Sequence, residues 1–298
     1  MAKSIAVILN RGSGSQTEDT RDQLARLFNE HGIDADIRVA GEGDDISQLA
    51  RDAVESGVET IVAGGGDGTI SAVAAEVVRS GKVLGVLPLG TLNNFSKDLE
   101  VPQELADAVA VIADGSTTAI DVGEVNGRIF INNSSLGLYP RIVRHREAQQ
   151  RIGRGKWRSA LWAALKVFKR SPFLKVKLAL GDHELFRKTP FVFVGNNAYE
   201  MDIYNIGRRQ SLSDGKLSVH LLRRGGRAAL VMLVIRTLFG RLRQAKDFEE
   251  LTTSEIEVTT KKSRVLVALD GEVETLDSPL TYRILPAALR VIVPAAKS

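Results

Sequence analysis

Gly64-Gly65-Gly66-Asp67-Gly68-Thr69 is the segment of this 298-residue chain whose residue types most plainly suggest chemistry. Glycines let backbone N–H groups come close to an anion, and a helix that begins at such a turn adds partial positive charge, so a phosphate is the natural occupant. Two familiar phosphate motifs do not fit. The dinucleotide fingerprint counted from Gly64 and Gly66 needs a third glycine or alanine where Thr69 stands, and the Walker-like span Gly85 to Gly90-Thr91 has no lysine. Asp67 is the distinctive residue. A carboxylate beside phosphates repels them unless a divalent cation sits between, which suggests a phosphate loop that also helps to hold Mg²⁺. The bland alternative is a tight strand-to-helix turn with Asp67 as N-cap.

The elements that must position this loop read as a parallel sheet covered by helices. Ile5–Leu9, Ala35–Val39, Thr60–Ala63 and Val83–Leu87 read as strands, with helices over Thr20–Glu30, Ile46–Ser56 and Gly68–Ser80 between them. Ile70, Val73, Ala74, Val77 and Val78 give the last of these one buried face. Pro102 to Asp114 reads as a further helix, stopped at Gly115. Past residue 125 the texture changes to Ile129–Ser134, Phe173–Leu180, Phe191–Gly195, Lys216–Leu222, Glu255–Thr260 and Arg264–Leu269, all strand-like. Long helical patterns interrupt them at 142–170 and 227–246. The expected fold class is therefore α/β with two domains: an α/β nucleotide-binding domain over 1–125, and a mostly antiparallel, β-sandwich-like domain over 126–285.

A second loop, Pro88-Leu89-Gly90-Thr91-Leu92-Asn93-Asn94-Phe95, follows the fourth strand and should emerge at the same carboxyl edge as the first, where open α/β sheets bind ligands. With both loops in hand, the chain resembles the diacylglycerol kinase catalytic-domain family of bacterial lipid kinases, relatives of sphingosine kinases and more remotely of NAD kinases and phosphofructokinases. Asn10-Arg11-Gly12-Ser13-Gly14 is similar to the family's turn after the first strand, with Arg11 in place of the usual proline. The resemblance implies that Asn10 and Gly12 border the nucleotide, that Gly65, Gly66, Gly68 and Thr69 cradle its phosphates with Gly90 alongside, and that Thr91 adds a hydroxyl contact. It also implies ATP as phosphate donor, Asp67 beside the catalytic Mg²⁺, and a last strand, within 286–298, returning to the first domain. Many members carry aspartate where this chain has Asn94, whose amide oxygen can coordinate a metal but supplies no charge.

Leu269-Asp270-Gly271-Glu272 reads by itself as a hairpin turn with a rim charge. In the resembled family an Asp-Gly-Glu here brings a glutamate towards the terminal phosphate, which makes Glu272 the expected base for an acceptor hydroxyl and Asp270 the reserve. Ser211 to Leu217 resembles a family loop that binds structural Mg²⁺ through two aspartates. Asp214 matches one of them and Ser211 stands at the other, so any metal site there is expected to be weak.

The charge is divided unevenly. Residues 1–120 hold 9 Lys/Arg and 19 Asp/Glu, a balance of −10, whereas 121–298 hold 31 and 17, a balance of +14. Residues 141–170 carry 10 Lys/Arg against Glu147 alone, and Trp157, Leu161, Ala164, Leu165 and Phe168 form one stripe of a two-faced helix. Such a helix suits an anionic membrane surface, although packing on the sheet would also account for its stripe. Residues 223–246 add 7 Lys/Arg and no acid around apolar Ala228–Ile235, a run suited to burial, as in a lipid pocket. Without cysteine, disulfides and thiolate metal sites are excluded. Ile5–Leu9 is too short for a signal sequence, and no apolar run spans a bilayer as a helix.

The expectation is an ATP- and Mg²⁺-dependent lipid kinase acting on the hydroxyl of diacylglycerol or a similar lipid. It is expected to be cytoplasmic and peripherally membrane-associated, with no nucleic-acid partner. A homodimer is compatible with the sequence, which leaves oligomeric state open. Two alternatives stand beside it: an NAD-kinase-like soluble kinase, and a nucleotide-binding membrane adaptor with little catalysis.

Overall fold

The computed structural model describes residues 3–10, 17–41, 45–137, 140, 173–181, 183–199, 209, 211–222 and 248–295. Gly12 and the basic segments 141–170 and 223–246, with their two long helical patterns, lie outside the described residues. The chain divides into two units, Met1–Val122 with Leu285–Ser298, and Gly123–Ile284.

In the first unit, strands β1 (Lys3–Asn10), β2 (Ile33–Ala40), β3 (Thr60–Gly65) and β4 (Val83–Pro88) run parallel in the order β2-β1-β3-β4. Every residue of β3 and β4 is buried, as expected of central parallel strands whose two faces are both covered by helices. The helices are α1 (Thr17–Glu30), α2 (Ile46–Glu55), α3 (Asp67–Val77), the short α4 (Asn94–Asp98) and α5 (Leu105–Asp114). Asp45 caps α2 by accepting the Ser47 amide at 2.8 Å. Helix α3 buries Ile70, Val73, Ala74 and Val77 of the i, i+3, i+4 face read in the sequence, and Thr69 besides, while Val78 is its C-cap. The closing part of the 14-residue strand that ends the chain's β structure, Leu280–Val293, lies parallel to β4 through Arg290 and Val291.

The second unit is antiparallel. Strand β5 (Ser116–Val125) starts in the first unit, and its last residues, Gly123–Val125, form a hairpin with β6 (Arg128–Phe130) over Asn126 and Gly127, both at positive φ. A six-stranded sheet has the order β12 (Phe248–Thr253), β11 (Leu217–Leu222), β10 (Phe191–Asn196), β7 (Asn133–Gly137), β14 (Arg264–Leu269), β15 (Glu272–Asp277). Strands β8 (Leu174–Leu180), β9 (His183–Thr189) and β13 (Glu255–Thr260) join the first half of β16 (Leu280–Val293) in a second layer. The unit's core lies between them, from Leu136, Val194, Val219 and Val267 on one side to Leu178, Ile256, Val258 and Tyr282 on the other. This is two-layer sandwich packing. Tyr282 stands edge-on to Phe130 at 6.2 Å, and its hydroxyl meets Ser134 Oγ at 3.0 Å. Burial pushes that hydroxyl's pKa up, against the opposing effect of the Ser134 bond.

Candidate functional site

Strands β1, β3 and β4 are neighbours and parallel, so their carboxyl ends, Asn10, Gly65 and Pro88, share one sheet edge. The turn out of β3 is short. Gly66, with extended backbone, caps α3 without a side-chain bond, and Asp67 is the first helical residue. The capping position is thus one residue earlier than the bland reading of Asp67 supposed. The amides of Asp67, Gly68 and Thr69 fall in the first turn, where helix geometry provides no acceptor, so they are the donors an anion would meet. Asn10 reaches the same turn: its Nδ2 donates to Thr69 Oγ1 at 3.0 Å. Gly65 is needed for that approach, because a Cβ there would lie 2.6 Å from Thr69 Cβ.

The second loop lies directly on the first. Leu89 donates its amide to the Gly65 carbonyl at 3.2 Å, and a Cβ on Gly90 would press into Gly66 Cα and stand 2.8 Å from Asn93 Oδ1. Asp67 adds a side-chain link, its carboxylate accepting the amides of Asn94 at 3.3 Å and Phe95 at 3.1 Å, at the start of α4. Asn10, Gly65, Gly66, Asp67, Gly68, Thr69, Gly90 and Asn94 are therefore brought together. Thr91 is exposed on the same loop beside Leu92, which is 64% exposed. The Gly90 amide is not open to a ligand, since it donates to Asn93 Oδ1 at 2.9 Å; the role of this glycine is close approach.

Glu272 and Asp214 belong to the second unit. Leu269 pairs with Glu272 across a two-residue turn whose residues, Asp270 and Gly271, have φ 48° and 96°, the requirement of a tight hairpin. Glu272 is exposed at its end. Asp270 is committed to structure: its carboxylate accepts the amides of Ile131, Asn132 and Asn133 at 2.8–2.9 Å, which argues against its use as a reserve base. Asp214 is exposed beside Gly215, at φ 67°, and its amide donates to Asn197 Oδ1 at 3.2 Å. Among the described residues no group of three His, Cys, Asp or Glu side chains is placed to hold a metal ion. Among them, too, no helix is long and apolar enough to cross a membrane.

Residues 4–125 match the family model described as diacylglycerol kinase catalytic domain, and residues 135–293 match that described as YegS C-terminal NAD kinase beta sandwich-like domain. The chain belongs to the diacylglycerol kinase catalytic-domain family. A "Probable lipid kinase YegS-like" of Chromohalobacter salexigens is 30% identical over 223 residues, which are 73% of this chain and 70% of that one. Another of the same description from Klebsiella pneumoniae is 40% identical over 140 residues, 46% of each chain. The chain thus spans about half the length of this latter relative. A crystal structure of a diacylglycerol kinase from Bacillus anthracis superposes with TM-score 0.73 over 99% of this chain and 98% of that one, at 22% identity, a likeness of fold.

For a member of this family, the residue that sequence reasoning left without a role is Asn93. It is buried in the left-handed region at φ 52°, and its Nδ2 donates to the Pro88 carbonyl and to Gln103 Oε1, both at 3.2 Å. It ties the second loop internally, as Asp67 ties it to the first. The signal was present as Asn-Asn after Gly-Thr-Leu, since asparagine tolerates this conformation better than most residues.

Proposed function

We propose that the chain is an ATP- and Mg²⁺-dependent lipid kinase that transfers the γ-phosphate to the hydroxyl of diacylglycerol or a similar lipid. Beyond family membership, the observation that supports this reading is the fusion of two phosphate-type loops, Gly66 against Gly90, with Asp67 linking them through the Asn94 and Phe95 amides. The first-turn amides of α3 bind and orient the phosphates of the nucleotide substrate. Thr69, held by Asn10, and Thr91 supply hydroxyl contacts around them.

The residues present fit a divalent cation. Each Asp67 oxygen accepts one amide hydrogen and keeps lone-pair capacity, and the exposed Asn94 amide oxygen follows on the same loop. Mg²⁺ is commonly held by one or two carboxylates together with substrate phosphates. When bound, it supplies the positive charge that lets a carboxylate and polyphosphate share one site. In this reading Glu272 takes the acceptor's hydroxyl proton as the new O–P bond forms and ADP leaves. Asp214, with Ser211 standing in place of a second aspartate, is a weak metal ligand. The substrate lies in an anionic membrane, so the protein works at its cytoplasmic surface as a peripheral enzyme.

The test supplies γ-labelled ATP and Mg²⁺ to the full chain with diacylglycerol micelles and, separately, with NAD. Label in phosphatidic acid and none in NADP is expected. Label in NADP alone favours the NAD-kinase-like reading, and ATP binding without transfer to any lipid favours the adaptor.

A further inference from the structure

A cavity of about 330 Å³ opens in the second unit between the start of β8 and the turn from β13 to β14. Phe173 and Leu266 contribute apolar wall, while Lys175, Lys261, Lys262 and Arg264 also line it. Those four side chains are exposed. Arg264 has a loose partner, Asp277 at 3.8 Å, but among the described residues no carboxylate pairs with the three lysines.

The charge continues onto the outer face of β8 and β9. Lys175 stands across from Lys188, whose Nζ lies 5.6 Å from the centre of the Phe173 ring. Two residues along β9 on that face is Phe186, 69% exposed and opposite Lys177, which Glu184 engages at 2.6 Å. Strand β9 ends its sheet, and lysines guard edge strands against unwanted pairing. Edge protection explains neither a bare phenyl ring nor a cavity next to it. An exposed aromatic among cations, beside an apolar recess, has the chemistry of an interfacial lipid site.

We infer that this face docks the protein on an anionic bilayer, with Phe186 in the interfacial layer, Lys175, Lys188, Lys261 and Lys262 on phospholipid phosphates, and the cavity receiving part of one acyl chain. The choice of a lipid as occupant rests on the lipid-kinase reading, and binding is measured without catalysis so that the two can fail separately.

The experiment is co-sedimentation of the full chain with vesicles of phosphatidylcholine, with or without phosphatidylglycerol. Wild type is expected to prefer the anionic vesicles, and K261E/K262E to lose about tenfold or more of that affinity with unchanged thermal midpoint. Phe186→Ser is expected to lose several-fold. Wild-type affinity in both variants overturns the inference. So does displacement by inorganic phosphate at matched ionic strength, which marks a small-anion site, or stronger, competing binding of a DNA duplex that the same variants abolish. Transfer to diacylglycerol dispersed in detergent should be equal in all three proteins. Its absence from all of them sinks the kinase reading and leaves the vesicle result standing.

Discussion

The carboxylate of Asp67, at the first position of α3, accepts the backbone amides of Asn94 and Phe95, at the start of α4. One side chain thereby fixes the distance between the turns after β3 and β4. Asp67→Asn keeps an acceptor for one amide, loses the charge, and turns an N–H towards the other. Hydrogen bonds to a charged group are worth about 1.5–3 kcal/mol, and the half-exposed setting places the expected stability loss near the lower figure. Phosphoryl transfer should fall by roughly 10²-fold or more if the carboxylate also serves the metal, the usual scale for removing one electrostatic group from a site. Urea denaturation and steady-state kinetics on the same variant separate the two effects.

Gly66 and Gly90 touch, but they are not equivalent. A Cβ on Gly66 would lie 3.5 Å from Gly90 Cα, an ordinary contact, whereas a Cβ on Gly90 would press into the Gly66 backbone. Gly90→Ala should therefore force the loops apart, at about 1–3 kcal/mol as for other overpacked sites, and weaken ATP binding. Gly66→Ala should leave the thermal midpoint nearly unchanged. Equal midpoints for the two variants would show that the loops are not in contact.

Asp270 and Glu272 are two residues apart on one hairpin and should separate stability from activity. Removing the Asp270 side chain leaves the part-buried amides of Ile131, Asn132 and Asn133 without their acceptor, and about 3 kcal/mol should be lost, the low end of roughly 1–3 kcal/mol per unmet group. Glu272→Gln, at an exposed position, should stay within about 0.5 kcal/mol of wild type while lowering kcat. Unchanged kcat in that variant removes Glu272 from the mechanism.

His220 gives stability a pH dependence. It is 2% exposed on β11, its Nε2 has no hydrogen-bond partner, and burial lowers its pKa below 6.5, with Glu250 on the neighbouring strand opposing the shift. The unfolded chain therefore takes up the proton first. Stability contributed by neutral His220 is complete above about pH 6.5 and is lost as the pH falls from there through the lowered folded value, with a slope of at most about 1.4 kcal/mol per pH unit. His220→Gln should flatten that part of the profile, followed by denaturation between about pH 7.5 and 5.5 (roughly one unit either side of an unperturbed histidine).

The first unit was largely legible because β1, β3 and β4 carry continuous apolar runs and α3 has an unmistakable stripe. Val83–Leu87 differs from the observed β4 by one residue. Helix α4 was hidden inside a loop, since five residues opened by a left-handed Asn93 carry no period. Strand β9 was missed for another reason: as an edge strand it bears His183, Glu184, Arg187 and Lys188, a composition that reads as surface. In β15, Glu272, Glu274 and Asp277 obscure the alternation in the same way. The types of the phosphate-loop residues were plain from sequence. Their partners were not, because Asp67 to Phe95 and Gly66 to Gly90 are tertiary contacts that no local pattern encodes.

The central claim is phosphoryl transfer to a lipid hydroxyl at the Asp67 site, and the most direct measurement is transfer of labelled γ-phosphate from ATP into a total lipid extract. The product is to be identified by mass spectrometry, with wild type and Asp67→Ala in parallel. A phosphorylated lipid formed by wild type in the presence of Mg²⁺, and lost both with chelator and in Asp67→Ala, is the predicted result. No labelled lipid from wild type, or equal labelling by Asp67→Ala, would contradict it.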